Sequence, residues 1–399
     1  MSGALPDRSA WPDAVVIGLE LNGLGLSRTL AKKGVTVRAV DRGLATTYRR
    51  SRAVNHFHQL GGWTEEALIE GLVALGKTLD RPAVLFQTKD EGVIWCSRHR
   101  AELDPYFRVP LPPPSVVDLL MSKGLFSAMA KKEGWPLPLS WSFETEDELR
   151  AAIKDIPFPC ILKPQVKTSL FRRQKLPKAF KPTTPDELIE TYRLVAQFEP
   201  EVVVSEWIPG RDDQLVSCRG YWDADARPVM RFIGRKLLQW PVELGNMAVV
   251  EPAPPEWWAE AMDLTQRVFD QTGMHGIGAM EYKRRPDGRL VILEPCTSRT
   301  VYSHEVAPLN GFDLPWACFA DMAFGIKVEQ PGYPDQPLKL FDGIRAKKSA
   351  KVYLERGLLT AADLRAIRSG RKADMLFRWD DPLPWIGDTL ARRLAAFRK

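Results

Sequence analysis

The stretch from Ala14 to Asp41 constrains the fold more than any other. Ala14-Val-Val-Ile17 is a short continuous apolar run and Gly18 follows it. Asn22-Gly23-Leu24-Gly25 then opens a helical stretch that stops at Gly34, and Val35 to Val40 is a second apolar run ending in Asp41. Strand, glycine-rich turn, helix, strand and acid, in that order, describe a βαβ unit, whose two strands lie parallel in one sheet. Ala83 to Phe86 supplies another strand of the same kind. The glycines serve tight turns and close helix–strand packing, or they leave room for a phosphate. They do not complete G-x-G-x-x-G, because Gly18 is followed by Leu19-Glu20 and Gly23-x-Gly25 ends at Arg28. A nicotinamide-dependent oxidoreductase, suggested by this turn with Asp41, is therefore the weaker alternative among enzymes.

The chain has 399 residues, too many for one compact core. Pro110-Leu-Pro-Pro-Pro114 cannot be helix interior or central strand, so it marks a linker and a domain boundary. Apolar residues make up 45% and charged residues 27%, which excludes disordered and fibrous classes. No run of 18 apolar residues occurs, so no membrane span is expected. The segment Met1 to Pro12 has no apolar h-region. Five scattered cysteines give neither a disulfide framework nor a zinc site, so a reducing, cytoplasmic setting is expected. From Phe341 onward there are 14 Lys/Arg against 7 Asp/Glu, so this tail carries the whole surplus behind the net charge of +6. A tail surplus is not the basic patch of a nucleic-acid-binding fold, and no nucleic-acid partner is expected.

Three helix starts share one grammar: Ser115 with Asp118, Thr145 with Glu148, and Thr184 with Glu187. Each sets a hydroxyl cap three residues before an acid. Strands are predicted at Phe158 to Lys163, Val202 to Glu206, Leu215 to Ser217, Pro228 to Ile233, Ile277 to Tyr282 and Leu290 to Glu294. A long helix is predicted from Glu256 to Thr272, stopped by Gly273, and the chain beyond Phe341 reads as helical.

Ala279 to Pro295 carries the strongest chemical signal. Asp287-Gly288 between two apolar runs predicts a hairpin. A two-residue turn there, or a four-residue loop centred on it, sets Glu281 directly opposite Glu294 on one sheet face. Like charges so placed destabilise a sheet. A divalent cation would offset that cost, and Mg²⁺ takes one or two carboxylates together with substrate phosphates. The alternative is two solvated glutamates on an open face.

Other signals are weaker alone. Lys163 ends the run Cys160-Ile-Leu, either as a snorkelling strand end or as a cation for an anionic ligand. Lys123 lies in the helical stretch after Ser115. Val203-Val-Ser-Glu206-Trp207-Ile208-Pro-Gly210 runs a strand into a turn. Its backbone could pair with a flat heterocycle, and Asp212 or Asp213 could take sugar hydroxyls. Lys167 to Lys181 holds Lys167, Arg172, Arg173, Lys175, Lys178 and Lys181 with no acid, as a cover over phosphates or as a solvated loop.

In this order, these pieces resemble the ATP-grasp superfamily, and within it the carboxylate–amine ligases. Val16-Ile-Gly-Leu-Glu-Leu-Asn22-Gly23-Leu-Gly25 with Asp41 and Ser51-Arg52 resembles the family's Rossmann-like N-terminal domain. Leu119-Leu-Met-Ser-Lys123 and Phe158-Pro-Cys-Ile-Leu-Lys163 resemble the segments supplying two ATP lysines. Glu206 to Asp213 resembles the adenine hinge. Gly234-Arg235-Lys236 is similar to a basic strand facing substrate or phosphate. His275 to Lys283 and Glu294-Pro-Cys-Thr-Ser-Arg299 resemble the two-carboxylate metal hairpin and its arginine, and Trp379-Asp-Asp-Pro resembles the end of this subgroup. Cys296 stands where many members have asparagine.

The resemblance implies an α/β protein with α+β ATP-grasp lobes: a Rossmann-like parallel-sheet domain at 1–114, a small lobe at 115–205, a large lobe with the metal hairpin at 206–330, and a basic helical C-terminal extension at 331–399. It implies ATP with Mg²⁺ or Mn²⁺, and small-molecule carboxylate and amine substrates joined through an acyl phosphate. Lys123, Lys163, Glu206, Trp207, Ile208, Asp213 and Lys236 would bind ATP, Glu281 and Glu294 the metal, while Arg299 and Arg235 would act in catalysis. A homo-oligomer is compatible with all of this. A non-catalytic ATP-binding relative is the alternative that Cys296 suggests.

Overall fold

The computed structural model describes residues 5–43, 47–165, 173–174, 176–177 and 179–397. Strand β1 (Ala14–Ile17) is buried along its whole length, as a parallel strand covered on both faces must be. It lies between β2 (Val37–Asp41) and β4 (Ala83–Gln87). With β3 (His56–Gln59) and β5 (Phe107–Arg108) they form a parallel sheet of order β3-β2-β1-β4-β5. The expected βαβ unit is present, with the helix Leu21–Lys32 as its crossover.

The glycines of the first turn are needed for close approach. Gly18 has φ +87°, and a Cβ on Gly23 would lie 1.9 Å from the Gly18 carbonyl oxygen. The Asp41 carboxylate accepts hydrogen bonds from the Leu19 and Arg42 backbone N–H groups, both at 2.7 Å. It fastens the turn after β1 and is not free to grip a ribose.

After Pro110–Pro114 the chain departs from the expected helix start. Pro114 opens a helix that ends at Met121, and Ser115 does not cap it. A new helix, Lys123–Glu133, begins at once, with the Ser122 hydroxyl accepting from Leu125 N–H. The other two caps form at Thr145 and Thr184. Their helices, Glu146–Ala152 and Pro185–Ala196, cover a small antiparallel sheet of β6 (Ser140–Phe143), β7 (Cys160–Pro164) and β8 (Val202–Glu206).

A seven-stranded sheet follows, of order β13-β12-β9-β10-β11-β14-β15. Its members are β9 (Leu215–Trp222), β10 (Pro228–Trp240), β11 (Asn246–Pro252), β12 (Gly276–Arg284), β13 (Leu290–Cys296), β14 (Leu338–Phe341) and β15 (Arg371–Asp374). One face packs on the helix Trp258–Thr272 through Ala261, Leu264, Val268 and Phe269. The other shares a core with the first sheet, where Tyr221 and Phe232 join Val16, Phe86 and Phe319.

The C-terminal segment is helical, at Gly343–Glu355, Ala361–Arg368 and Leu383–Phe397. It also lends β14 and β15 to the large sheet, which helical periodicity does not reveal in strands of four residues. Asp381 clasps this segment to the front of the molecule. It accepts from Arg28 Nε (2.8 Å), Ser51 Oγ (2.6 Å) and Arg52 N (3.0 Å). Among the described residues no helix is long and apolar enough to cross a membrane.

Replacing Gly23 with Ala should destabilise the protein by about 1–3 kcal/mol, the usual cost of overpacking. A thermal melt would show this as a clear drop in midpoint, and an unchanged midpoint would contradict the packing role.

Candidate active site

The hairpin joining β12 to β13 reaches the expected pairing by a different route. Gly288 N–H bonds the Arg285 carbonyl and Arg285 N–H bonds Arg289 O, closing a three-residue loop, Pro286 to Gly288, with Gly288 at φ +88°. That loop alone would slip the register by one. Arg284 indeed pairs with Leu290, Lys283 with Val291 and Tyr282 with Ile292. A bulge then passes over Leu293, which is 39% exposed, and Glu281 pairs with Glu294. Bulges of this kind re-aim side chains next to sites.

Beside the two carboxylates, on the same face, the sheet is cationic. Ser217 and Arg219 of β9 are the register partners of Glu281 and Ala279. Arg219 is 3% exposed. Its Nε donates to Ser217 Oγ (3.1 Å) and its Nη1 to Ser303 O (2.8 Å). Burial pushes its pKa down to about 10, against the opposing pull of Glu281. Lys236 Nζ lies 3.2 Å from Glu281 Oε2.

Arg235, the residue before Lys236, points to the opposite face. It bonds Glu251 Oε1 at 2.7 and 2.9 Å and lies over the Trp257 ring. This corrects the expected joint action of Arg235 and Lys236, because successive strand residues face opposite ways.

Four of the expected residues line one cavity of about 330 Å³: Lys123, Lys163, Glu294 and Arg299. Lys123 reaches it from the first position of its helix. Lys163 does so from β7, exposed between buried Leu162 and Pro164. Arg299 is ion-paired with Asp90, at the start of the helix Asp90–Arg98. Asn22 ties that region together, donating to Thr88 O (3.1 Å) and Thr300 O (2.8 Å).

Trp207 and Asp213 line a different cavity, of about 660 Å³, together with Arg235. Glu281, Lys236, Glu206 and Ile208 line neither. Glu206 is held by Arg285 at 2.6 and 2.9 Å, and this guanidinium keeps its carboxyl below the usual carboxylate range. The Lys181 ammonium sits 3.9 Å from the Trp207 ring centre. Ile208 is buried. The turn beyond is fastened by Lys283 Nζ, which donates to the Gly210 (2.9 Å) and Arg211 (2.6 Å) carbonyls. Of the expected basic cover, Lys167, Arg172, Lys175 and Lys178 lie outside the described residues.

The donor set suits a hard cation. Glu281 and Glu294 supply carboxylate oxygen, and Thr297 Oγ1, in the same cavity lining as Glu294, is buried without a partner among the described residues. Cys296 is a poor ligand here, since burial pushes its thiol up. No group of three or more His, Cys, Asp or Glu that could hold a metal occurs among the described residues. Mg²⁺, which shares its shell with phosphates, does not require one.

Sequence reasoning missed Arg219, Lys283 and His304. Each sits within an apolar or mixed run, where only the fold reveals what it faces. His304 is 3% exposed, and burial pushes its pKa down to about 3.

No protein-family model matches the chain. The chain is 24% identical over 206 residues to a D-alanine–D-alanine ligase of Pseudomonas entomophila, covering 48% of this chain and 58% of that one. It is 25% identical over 314 residues to a D-aspartate ligase of Enterococcus faecium, covering 75% and 74%. The match thus spans a little over half the length of the first relative. Among solved structures, the N5-carboxyaminoimidazole synthetase of Staphylococcus aureus complexed with ADP superposes with TM-score 0.62 at 13% identity, covering 82% of this chain and 80% of that one. The biotin carboxylase of Campylobacter jejuni gives 0.63 at 13% identity, covering 83% and 75%. The chain has the ATP-grasp fold. In sequence it is similar to ligases of the ATP-grasp carboxylate–amine type.

Two outcomes follow from this geometry. Lys236→Met should weaken ADP binding about tenfold, the usual worth of a charge-assisted contact, while Arg235→Gln stays within about twofold. Titration calorimetry separates them, and equal effects would contradict the two-face assignment. His304 has a folded pKa below its unfolded value, so the unfolded chain binds the extra proton as pH falls below about 6.5. Stability should therefore fall by up to about 1.4 kcal/mol per pH unit between about pH 6.5 and 4 from this group alone. Urea unfolding across that range should show a shallower slope in His304→Leu, and an identical slope would show that His304 is not the buried neutral group described.

Proposed function

We propose that the chain is an ATP-dependent ligase that joins a carboxylate to an amine through an acyl phosphate, with ADP and phosphate as by-products. The observation that carries this is the shared cavity, where Lys123 and Lys163 from the small lobe face Glu294 and Arg299. Two cations from one side and an acid beside an arginine from the other suit a triphosphate with its metal.

Lys123 and Lys163 hold phosphate oxygens. Glu281 and Glu294 hold Mg²⁺, which when bound neutralises charge developing on the transferred phosphoryl group. Lys236 keeps Glu281 in place and offers its remaining donors to phosphate. Arg299, anchored by Asp90, stabilises the acyl phosphate. A carboxylate oxygen attacks the γ-phosphorus and ADP leaves; the amine then attacks the acyl carbon and phosphate leaves. The protein's share is positioning and charge neutralisation. Backbone groups of Glu206 to Ile208 take the adenine; Asp213 lines the other cavity with Arg235 and is given no part in holding ATP. At least one substrate is an amino acid, in keeping with the two relatives named as D-alanine and D-aspartate ligases. The likeness to N5-carboxyaminoimidazole synthetase and biotin carboxylase extends to fold alone.

Cys296 favours a second reading, an ATP-binding protein without turnover. The two are separated by a carboxylate labelled with ¹⁸O. With D-amino acids as acid and amine, label should pass from the carboxylate into phosphate, and Glu294→Gln should lower turnover at least about a hundredfold. Tight ATP binding with no phosphate released across many acid–amine pairs would support the second reading.

A further inference from the structure

We propose that the cavity between the helices Gly343–Glu355 and Leu383–Phe397 binds a small organic phosphate, a phosphate monoester with a flat apolar body. The cavity holds about 630 Å³, a size typical of small-molecule sites. Trp385, Thr389 and Arg393 recur every four residues along one face of the C-terminal helix, and all three line the cavity. Asp388 and Arg392 line it beside them. Arg345 and Lys348, three residues apart on the other helix, line it too. Leu21, Tyr302, Trp240 at the end of β10 and Asp374 at the end of β15 contribute further lining.

Four cationic side chains and three carboxylates line this cavity, and the carboxylates are engaged. Asp388 pairs with Arg392. Asp342 accepts from the Arg345 backbone N–H (3.0 Å) and from the Tyr302 hydroxyl (2.8 Å). Asp374 accepts from the backbone N–H groups of Gly343, Leu376 and Phe377. Among the described residues Lys348 and Arg393 have no carboxylate partner. Arg345 is fixed in advance. Its Nε lies 3.3 Å from the Asp342 carboxylate, and its guanidinium lies 4.5 Å from the centre of the Tyr302 ring. Neither Nη atom donates a hydrogen bond among the described residues, and 30% of the side chain stays exposed.

These pairings leave two positive charges, on Lys348 and Arg393, beside a preset arginine. A phosphate monoester carries close to two negative charges above its second pKa of about 6, with three acceptor oxygens, whereas a carboxylate brings one charge. The cavity also meets the N-terminal end of the helix Gly343–Glu355, whose dipole favours an anion. A metal ion or an ammonium would instead meet like charge. Leu21, Trp240, Ile344 and Trp385 supply apolar lining for a flat organic body. None of the residues proposed for ligation lines this cavity, so its test does not depend on turnover.

Titration calorimetry of phenyl phosphate into the full chain, at about pH 8 so that the phosphate is doubly charged and with saturating ADP and Mg²⁺, tests the proposal. Phenyl phosphate should bind, while benzoate and inorganic phosphate should each bind at least about tenfold more weakly. Lys348→Gln with Arg393→Gln should weaken phenyl phosphate about tenfold or more and leave the thermal midpoint of the unliganded protein in place. Phenyl phosphate should raise the midpoint of the native protein and not that of the double variant. Four results would overturn the proposal: no binding of phenyl phosphate, unchanged affinity in the double variant, either control binding as tightly as phenyl phosphate, or binding that ADP abolishes, which would place the phosphate in the ligation cavity.

Discussion

The antiparallel pairing of β12 with β13, and the one residue that bulges out of it, govern the candidate site. Without Leu293 in the bulge, Glu281 would face Leu293, and Glu294 would turn to the other side of the sheet. With it, two carboxylates stand opposite each other, an arrangement that a sheet resists unless positive charge is near. The chain supplies that charge from several directions. Lys236 reaches Glu281 from β10, and Arg219 lies buried beside it on β9. Lys123, Lys163 and Arg299 line the cavity above Glu294.

These groups come from two sheets, one helix and the segment after β13, so their geometry depends on how the parts are held together. Asn22 spans from the first helix to Thr88 and Thr300. Asp90 anchors Arg299 from the N-terminal sheet's side. Arg28 and Asp381 form a buried, multiply bonded pair between the first helix and the C-terminal segment. Breaking a buried pair leaves an uncompensated charge, which is far costlier than losing a surface contact. The C-terminal segment is thus part of the frame that sets the first helix against the large sheet.

Much of this was legible in the sequence because the signals were local. Continuous apolar runs marked the parallel strands, Thr145 and Thr184 marked helix starts, and Asp287-Gly288 marked the hairpin. The Glu281–Glu294 pairing was legible for an incomplete reason, since a three-residue loop and a one-residue bulge offset each other and neither leaves a pattern. Ser115 misled because Pro114 already satisfies the first helical position. Arg235 misled because its basic neighbour drew attention away from strand alternation. Arg219 was hidden because its role comes from register across β9 and β12, a relation between residues 60 positions apart. The strands β14 and β15 were hidden by their length and by the helices around them.

Calorimetric titration of ADP into the protein, with and without Mg²⁺, tests the central claim most directly. If the opposed carboxylates carry the metal, Mg²⁺ should tighten ADP binding to the native protein about tenfold or more, and a Glu281→Gln, Glu294→Gln double substitution should erase that gain while leaving the thermal midpoint in place. An equal Mg²⁺ effect in both proteins would contradict the account.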